Sequence, residues 1–132
     1  MSKIITLSEA STIAIHAMVL IARTEKNLNV NKIAELTGAS RNHLAKVMQR
    51  LVKDKYVKST RGPLGGFVLM RPADKISMLN VYESIEGEVV QSSCPLEQSV
   101  CPFSKCLMGG IIFDLTDQFK NYLGKAMLSE YV

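Results

Sequence analysis

A chain of 132 residues that is 47% hydrophobic is long enough for one folding unit with a true core and too short for two independent ones to be expected. Its formal charge of +4 and isoelectric point near 9.0 permit a nucleic-acid partner without requiring one. No apolar run has the length of a membrane span, and Glu9 stands where a signal peptide would carry its apolar centre, so a cytoplasmic protein with no membrane partner is expected. The placement of charge says more than its sum. From Lys32 to Arg71 the bases are Lys32, Arg41, Lys46, Arg50, Lys53, Lys55, Lys58, Arg61 and Arg71, against the acids Glu35 and Asp54, a segment that attracts a polyanion.

In chain order, Ala10, Ile13, Ala14, Ala17, Met18 and Ile21 recur at helical steps after the caps Ser8 or Ser11, and predict a first helix ending near Arg23. A polar turn follows, and Asn29 or Asn31 caps a short second helix that turns Ile33, Ala34 and Leu36 inward and is closed by Gly38. Ser40 caps a third helix with Leu44, Val47, Met48 and Leu51 as its buried row. Two helices joined by Thr37-Gly38-Ala39-Ser40 form a helix-turn-helix. The β-prone runs Tyr56 to Ser59 and Phe67 to Met70 flank the turn-forming Arg61-Gly62-Pro63-Leu64-Gly65-Gly66, which predicts a hairpin wing. Ser77 caps a fourth helix that ends at Gly87. After a loop with three cysteines, Ile111, Ile112, Leu115, Phe119, Tyr122, Leu123, Ala126 and Met127 predict a long final amphipathic helix.

The expected class is mostly α with a small β-hairpin: a winged helix-turn-helix over 1–87, a cysteine-containing sensor loop over 88–107 and a dimerisation helix over 108–132, in one folding unit. With its apolar row inward, the third helix presents Arg41, Asn42, His43, Lys46, Gln49 and Arg50 to solvent, donors of the kind that read base edges and phosphates. Arg41 and Asn42 are the expected base contacts. Lys46 and Arg50 suit phosphates, and Arg61 a phosphate or the minor groove. With Ser40, His43, Gly65 and Gly66 these complete the expected DNA-binding set. Any soluble helix also needs a solvated polar face, and His43 serves equally as a capping or solvating residue. The ordered sequence of capped helix, glycine turn and basic hairpin favours the functional reading.

The three cysteines, Cys94, Cys101 and Cys106, fall in one short window, with Pro95 and Pro102 following two of them. An odd number so clustered suits reduced thiolate ligands better than a disulfide framework. Soft thiolates fit an iron-sulfur cluster or zinc, either of which ordinarily takes four ligands. A redox pair with a spare thiol, and three unused small hydrophobes, are the remaining readings. Without a Cys-x-x-Cys pair, a nucleotide loop or a nucleophile and base in suggestive spacing, catalysis is not expected.

The run Ile33 to Leu44, followed by Arg61-Gly62-Pro63-Leu64-Gly65-Gly66-Phe67, Val81-Tyr82-Glu83-Ser84-Ile85-Glu86-Gly87, the cysteine loop and the long last helix, resembles the bacterial regulators of the IscR, NsrR and CymR type. The resemblance implies a homodimer joined through the last helix and a double-stranded DNA site of inverted half-sites. It also implies an iron-sulfur cluster on the three cysteines, with a fourth ligand from a histidine just downstream or from the partner's first helix. Gly109 occupies the downstream position here, which leaves His16 of the first helix as the candidate fourth ligand and Glu9 as a weaker one. The cysteine gaps of this chain are also less equal than the resemblance would suggest, and zinc remains the alternative cofactor.

Overall fold

Polar caps fix where the helices of the first half begin. A computed structural model describes residues 7–24, 26–90 and 102–132. Helix α1 (Glu9–Arg23) starts at Ser8, whose Oγ accepts the Ser11 amide. Helix α2 (Val30–Thr37) starts at Asn29, which accepts from Lys32, and helix α3 (Arg41–Lys53) at Ser40, which accepts from His43. Gly38 closes α2 with φ +75°, a left-handed conformation that costs glycine little and lets the chain turn directly into α3.

Helix α1 is the centre of the core. Ala14, Ala17 and Met18 are fully buried along it, and Ile33, Leu44, Met48, Leu51 and Val81 close around them from α2, α3 and the following helix. The small side chains of Ala14 and Ala17 let neighbouring backbones approach closely, while Met18 fills the remaining space.

The hairpin consists of β1 (Val57–Thr60) and β2 (Gly66–Leu69), antiparallel with Val57 opposite Leu69 and Thr60 opposite Gly66. β1 starts one residue after the sequence expectation and β2 ends one residue before it. Tyr56 and Met70 stand just outside, where the Tyr56 carbonyl accepts the Met70 amide and the Arg71 guanidinium lies 4.5 Å above the Tyr56 ring. A short 3₁₀ turn (Ala73–Lys75) leads to α4 (Met78–Glu86), which begins with a capping box between Ser77 and Asn80.

Helix α5 (Ile111–Lys125) packs on α4, with the Tyr82 and Phe119 rings edge to face at 5.1 Å. The sequence pattern carried this helix through Ala126 and Met127, and the structure corrects that. Met127 instead pairs with Ser77, the Met78 amide donates to the Ala126 carbonyl at 2.7 Å and the Leu128 amide to Ile76 at 2.9 Å. Leu128 is thereby fully buried at the start of a 3₁₀ turn (Leu128–Tyr131). Burial of one leucine and a paired backbone outweigh one more helical turn.

A backbone bridge joins Leu28, in the turn between α1 and α2, to Phe67 of β2. The Phe67 amide donates to the Leu28 carbonyl at 2.8 Å and the Leu28 amide to the Phe67 carbonyl at 3.3 Å. Gly66 makes this approach possible: a Cβ there would stand 2.7 Å from the Leu28 carbonyl carbon and oxygen, and its φ is +149°. Gly66→Ala is therefore expected to lower stability by about 1–3 kcal/mol, measured by urea unfolding.

Candidate nucleic-acid interface

With Leu44, Val47, Met48 and Leu51 buried, the face of α3 opposite the core carries Asn42, Lys46, Gln49 and Lys53, all exposed. Arg41 is exposed at the first turn, where its Nη1 donates to Asn31 Oδ1 at 3.0 Å. That bond holds the guanidinium beside the N-terminal turn of α2 and leaves its other N–H groups directed elsewhere. Ser40 is occupied as the cap of α3. His43 lies on the flank of the helix, its Nδ1 3.8 Å from Glu9 Oε1, so the start of α3 rests near the start of α1.

Arg50 projects from the flank that meets α4. Its Nε donates to the Ser84 carbonyl at 2.8 Å, and Asp54 Oδ2, 3.5 Å from the same nitrogen, accepts from the buried Ser84 hydroxyl at 2.5 Å. The structure thus gives Arg50 an intramolecular partner that the sequence pattern did not show.

The hairpin is held beside α3 by more than the Leu28 bridge. Asn27 Nδ2 donates to Thr60 Oγ1 at 2.7 Å and to the Leu64 carbonyl at 2.9 Å, reaching the end of β1 and the tip of the turn. Arg61 is exposed there, and Leu64 at the tip is 88% exposed. Gly65 and Gly66 shape this turn. A Cβ on Gly65 would stand 2.4 Å from the Thr60 carbonyl oxygen, as one on Gly66 would meet Leu28.

Cys94 and Cys101 lie outside the described residues. Cys106 is exposed, and the backbone N–H groups of Gly110, then Met108 and Gly109, hold its thiol below the usual cysteine range. Gly109 and Gly110 both have left-handed φ, of +61° and +77°, so the turn after Cys106 depends on the glycine pair. His16 is exposed on the outer side of α1, with Nδ1 2.7 Å from the Thr12 carbonyl. Glu9 is exposed and faces His43. Among the described residues no three His, Cys, Asp or Glu side chains form a metal-binding group, and no helix is long and apolar enough to cross a membrane.

Residues 7–132 match the family model of Rrf2, described as an iron-dependent transcriptional regulator. The chain belongs to the Rrf2 family. It is similar to the HTH-type transcriptional regulator IscR of Xenorhabdus nematophila, 31% identical over 100 residues that make up 76% of this chain and 61% of that protein. It is also similar to IscR of Cronobacter sakazakii, 28% identical over 96% of this chain and 79% of that one. Against the first of these the chain spans under two thirds of the relative's length. Among solved structures it resembles CymR, the global cysteine regulator of B. subtilis, with TM-score 0.79, 21% identity and coverage of 95% and 94% of the two chains. It resembles T. potens IscR with TM-score 0.75, 20% identity and coverage of 95% and 84%. The winged-helix fold is thus shared with both solved structures.

Within this Rrf2 chain, sequence reading missed Asn27 and Leu28 as anchors of the wing, and Asp54 and Ser84 as partners of Arg50. The contacts of Asn27, Leu28 and Ser84 span 30 or more residues and leave no local periodic mark, whereas Asp54 stands one helical turn after Arg50, a spacing the sequence does display. The lowered Cys106 thiol has a direct consequence. In a Cys94→Ser, Cys101→Ser variant free of metal, alkylation of Cys106 by iodoacetamide is expected to reach half its limiting rate at a lower pH than that of N-acetylcysteine amide run in parallel.

Proposed function

We propose that this Rrf2 regulator is a homodimer that binds double-stranded DNA containing inverted half-sites, and that an iron-sulfur cluster on Cys94, Cys101 and Cys106 sets its affinity. The observation that carries the DNA reading is the exposed row of α3 beside a basic, anchored hairpin. A helix presenting donors fits the major groove, and a glycine-rich tip bearing Arg61 reaches the neighbouring minor groove or its phosphates. Arg41 and Asn42 are proposed to read base edges. Lys46 and Arg61 are proposed to contact the strand, with Ser40 and His43 at the helix start and Gly65 and Gly66 shaping the wing. The spare N–H groups of Arg50 leave a phosphate contact open to it, alongside its bond to Ser84.

Helix α5 supports the dimer. None of its 15 residues is buried, and its large apolar side chains Ile111, Phe113 and Tyr122 are 41–67% exposed. A helix that leaves such side chains in solvent suits a second copy. Residues ahead of the cysteines are fastened on both sides. The Val89 amide donates to Glu83 Oε2 at 2.7 Å, and Lys120 Nζ donates to the Val89 carbonyl at 3.3 Å. A change in the loop therefore bears on α4 and α5 together. In a dimer whose half-sites lie about 34 Å apart, a small rotation of these helices displaces one α3 from its groove.

The lowered thiol of Cys106 fits thiolate ligation, and the family's description as iron-dependent favours iron over zinc. We place His16 of the second copy as the fourth ligand, with Nε2 as its coordinating nitrogen. When bound, such a cluster supplies a centre sensitive to oxygen, nitric oxide or the supply of clusters.

Anaerobic purification tests the sensor. A brown protein with visible charge-transfer absorption and stoichiometric iron and sulfide is expected, with the colour lost in Cys106→Ala; a colourless, zinc-bearing protein would contradict it. For DNA, Arg41→Ala is expected to cost about 1–3 kcal/mol on the preferred duplex and much less on a scrambled one. Lys46→Ala is expected to weaken both alike and lower the salt slope by about 1, checked by gel shift at several salt concentrations.

A further inference from the structure

Between α3 and the hairpin lies a cleft of about 320 Å³, lined by Val30, Ala45, Gln49, Val52, Ser59 and Phe67. None of these residues is charged. Exposed cations stand near both walls: Lys46 and Lys53 on α3, and Arg61 just beyond the end of β1. The acids of this region are engaged, Asp54 with Ser84 and Arg50, and Glu35 with Lys32. Gln49 and Ser59 are exposed at the cleft, and neither side chain takes a hydrogen-bond partner among the described residues.

A helix in the major groove and a hairpin tip in the adjacent minor groove stand on opposite sides of the sugar-phosphate strand that separates the two grooves. That strand must run between them. We infer, building on the DNA-binding reading above, that this cleft seats one sugar-phosphate strand, with Gln49 and Ser59 donating uncharged hydrogen bonds to its phosphate oxygens. The apolar lining from Val52 and Phe67 suits the carbons of deoxyribose. The flanking cations suit the polyanion and disfavour a second copy of this equally basic surface. Such contacts fix the register of the protein on the duplex without reading sequence. They also release few counterions, since neither donor is charged.

The test uses the full chain with two duplexes, one recovered by selection from a randomised library and one of scrambled sequence. Gln49→Ala and Ser59→Ala are each expected to lower affinity roughly fivefold on both duplexes, with the slope of log K against log salt unchanged. Lys53→Ala, the charged comparison, is expected to lower that slope by about 1. Ala45→Leu, which fills the cleft, is expected to lower affinity more than either deletion. Thermal melting followed by circular dichroism verifies folding, and the exposed Ser59→Ala keeps the test decisive if Ala45→Leu unfolds. Affinities within twofold of wild type for Gln49→Ala and Ser59→Ala would overturn the inference. A Gln49→Ala loss confined to the selected duplex would also overturn it, because that side chain would then be reading a base. Wild-type protein that binds neither duplex in a salt-sensitive way would instead remove the DNA reading on which the inference rests.

Discussion

Two backbone hydrogen bonds between Leu28 and Phe67 set the relation between wing and helix-turn-helix. Without them a two-stranded hairpin is marginal on its own, and its tip would sample many positions relative to α3. The bridge ties the hairpin to the turn between α1 and α2, and Asn27 extends the same fastening to the end of β1 and the hairpin tip. Gly66 allows the approach, so a glycine that sequence reading assigned to DNA contact has a structural task in placing the wing. An interface assembled from two elements gains affinity when they are already in position, since the ordering cost is met during folding rather than at binding.

Helix α4 is the junction between the helix-turn-helix half and the cysteine half of the chain. On one side, Ser84 engages Arg50 and Asp54 at the end of α3. On the other, Glu83 holds Val89, and Tyr82 meets Phe119 of α5. Adjacent residues of one helix thus touch α3, the segment leading to the cysteines and the last helix. Such continuity is a physical route for coupling. Exchanging Ser84 for alanine would remove one strand of that route while leaving the cap and core of α4 intact.

Much of the architecture was legible because it is written locally. Ser8, Asn29, Ser40 and Ser77 each cap a helix from within three residues, and Gly38 ends α2 where a left-handed residue is needed. The buried row of α3 followed from helical spacing alone, and with it the exposed face. What escaped was non-local. Ala126 and Met127 continue a helical apolar pattern, yet the strand-like pairing with Ser77 and the burial of Leu128 decide their conformation. Arg50 reads as one more cation on a basic helix until Ser84, 34 residues later, is placed beside it. The cleft beside Gln49 arises only when α2, α3 and the hairpin are assembled, and no spacing in the chain announces it.

The central claim is that α3 and the hairpin act as one rigid reader spanning neighbouring grooves. Chemical footprinting of the full chain on a duplex selected from a randomised library tests it most directly. Guanine N7 positions in the major groove should be protected in two clusters about 10 base pairs apart, each continuous with hydroxyl-radical protection of the flanking minor groove. Bound protein that leaves the N7 positions reactive, or that shields the major groove while the adjacent minor groove is cut as in free DNA, would contradict the account.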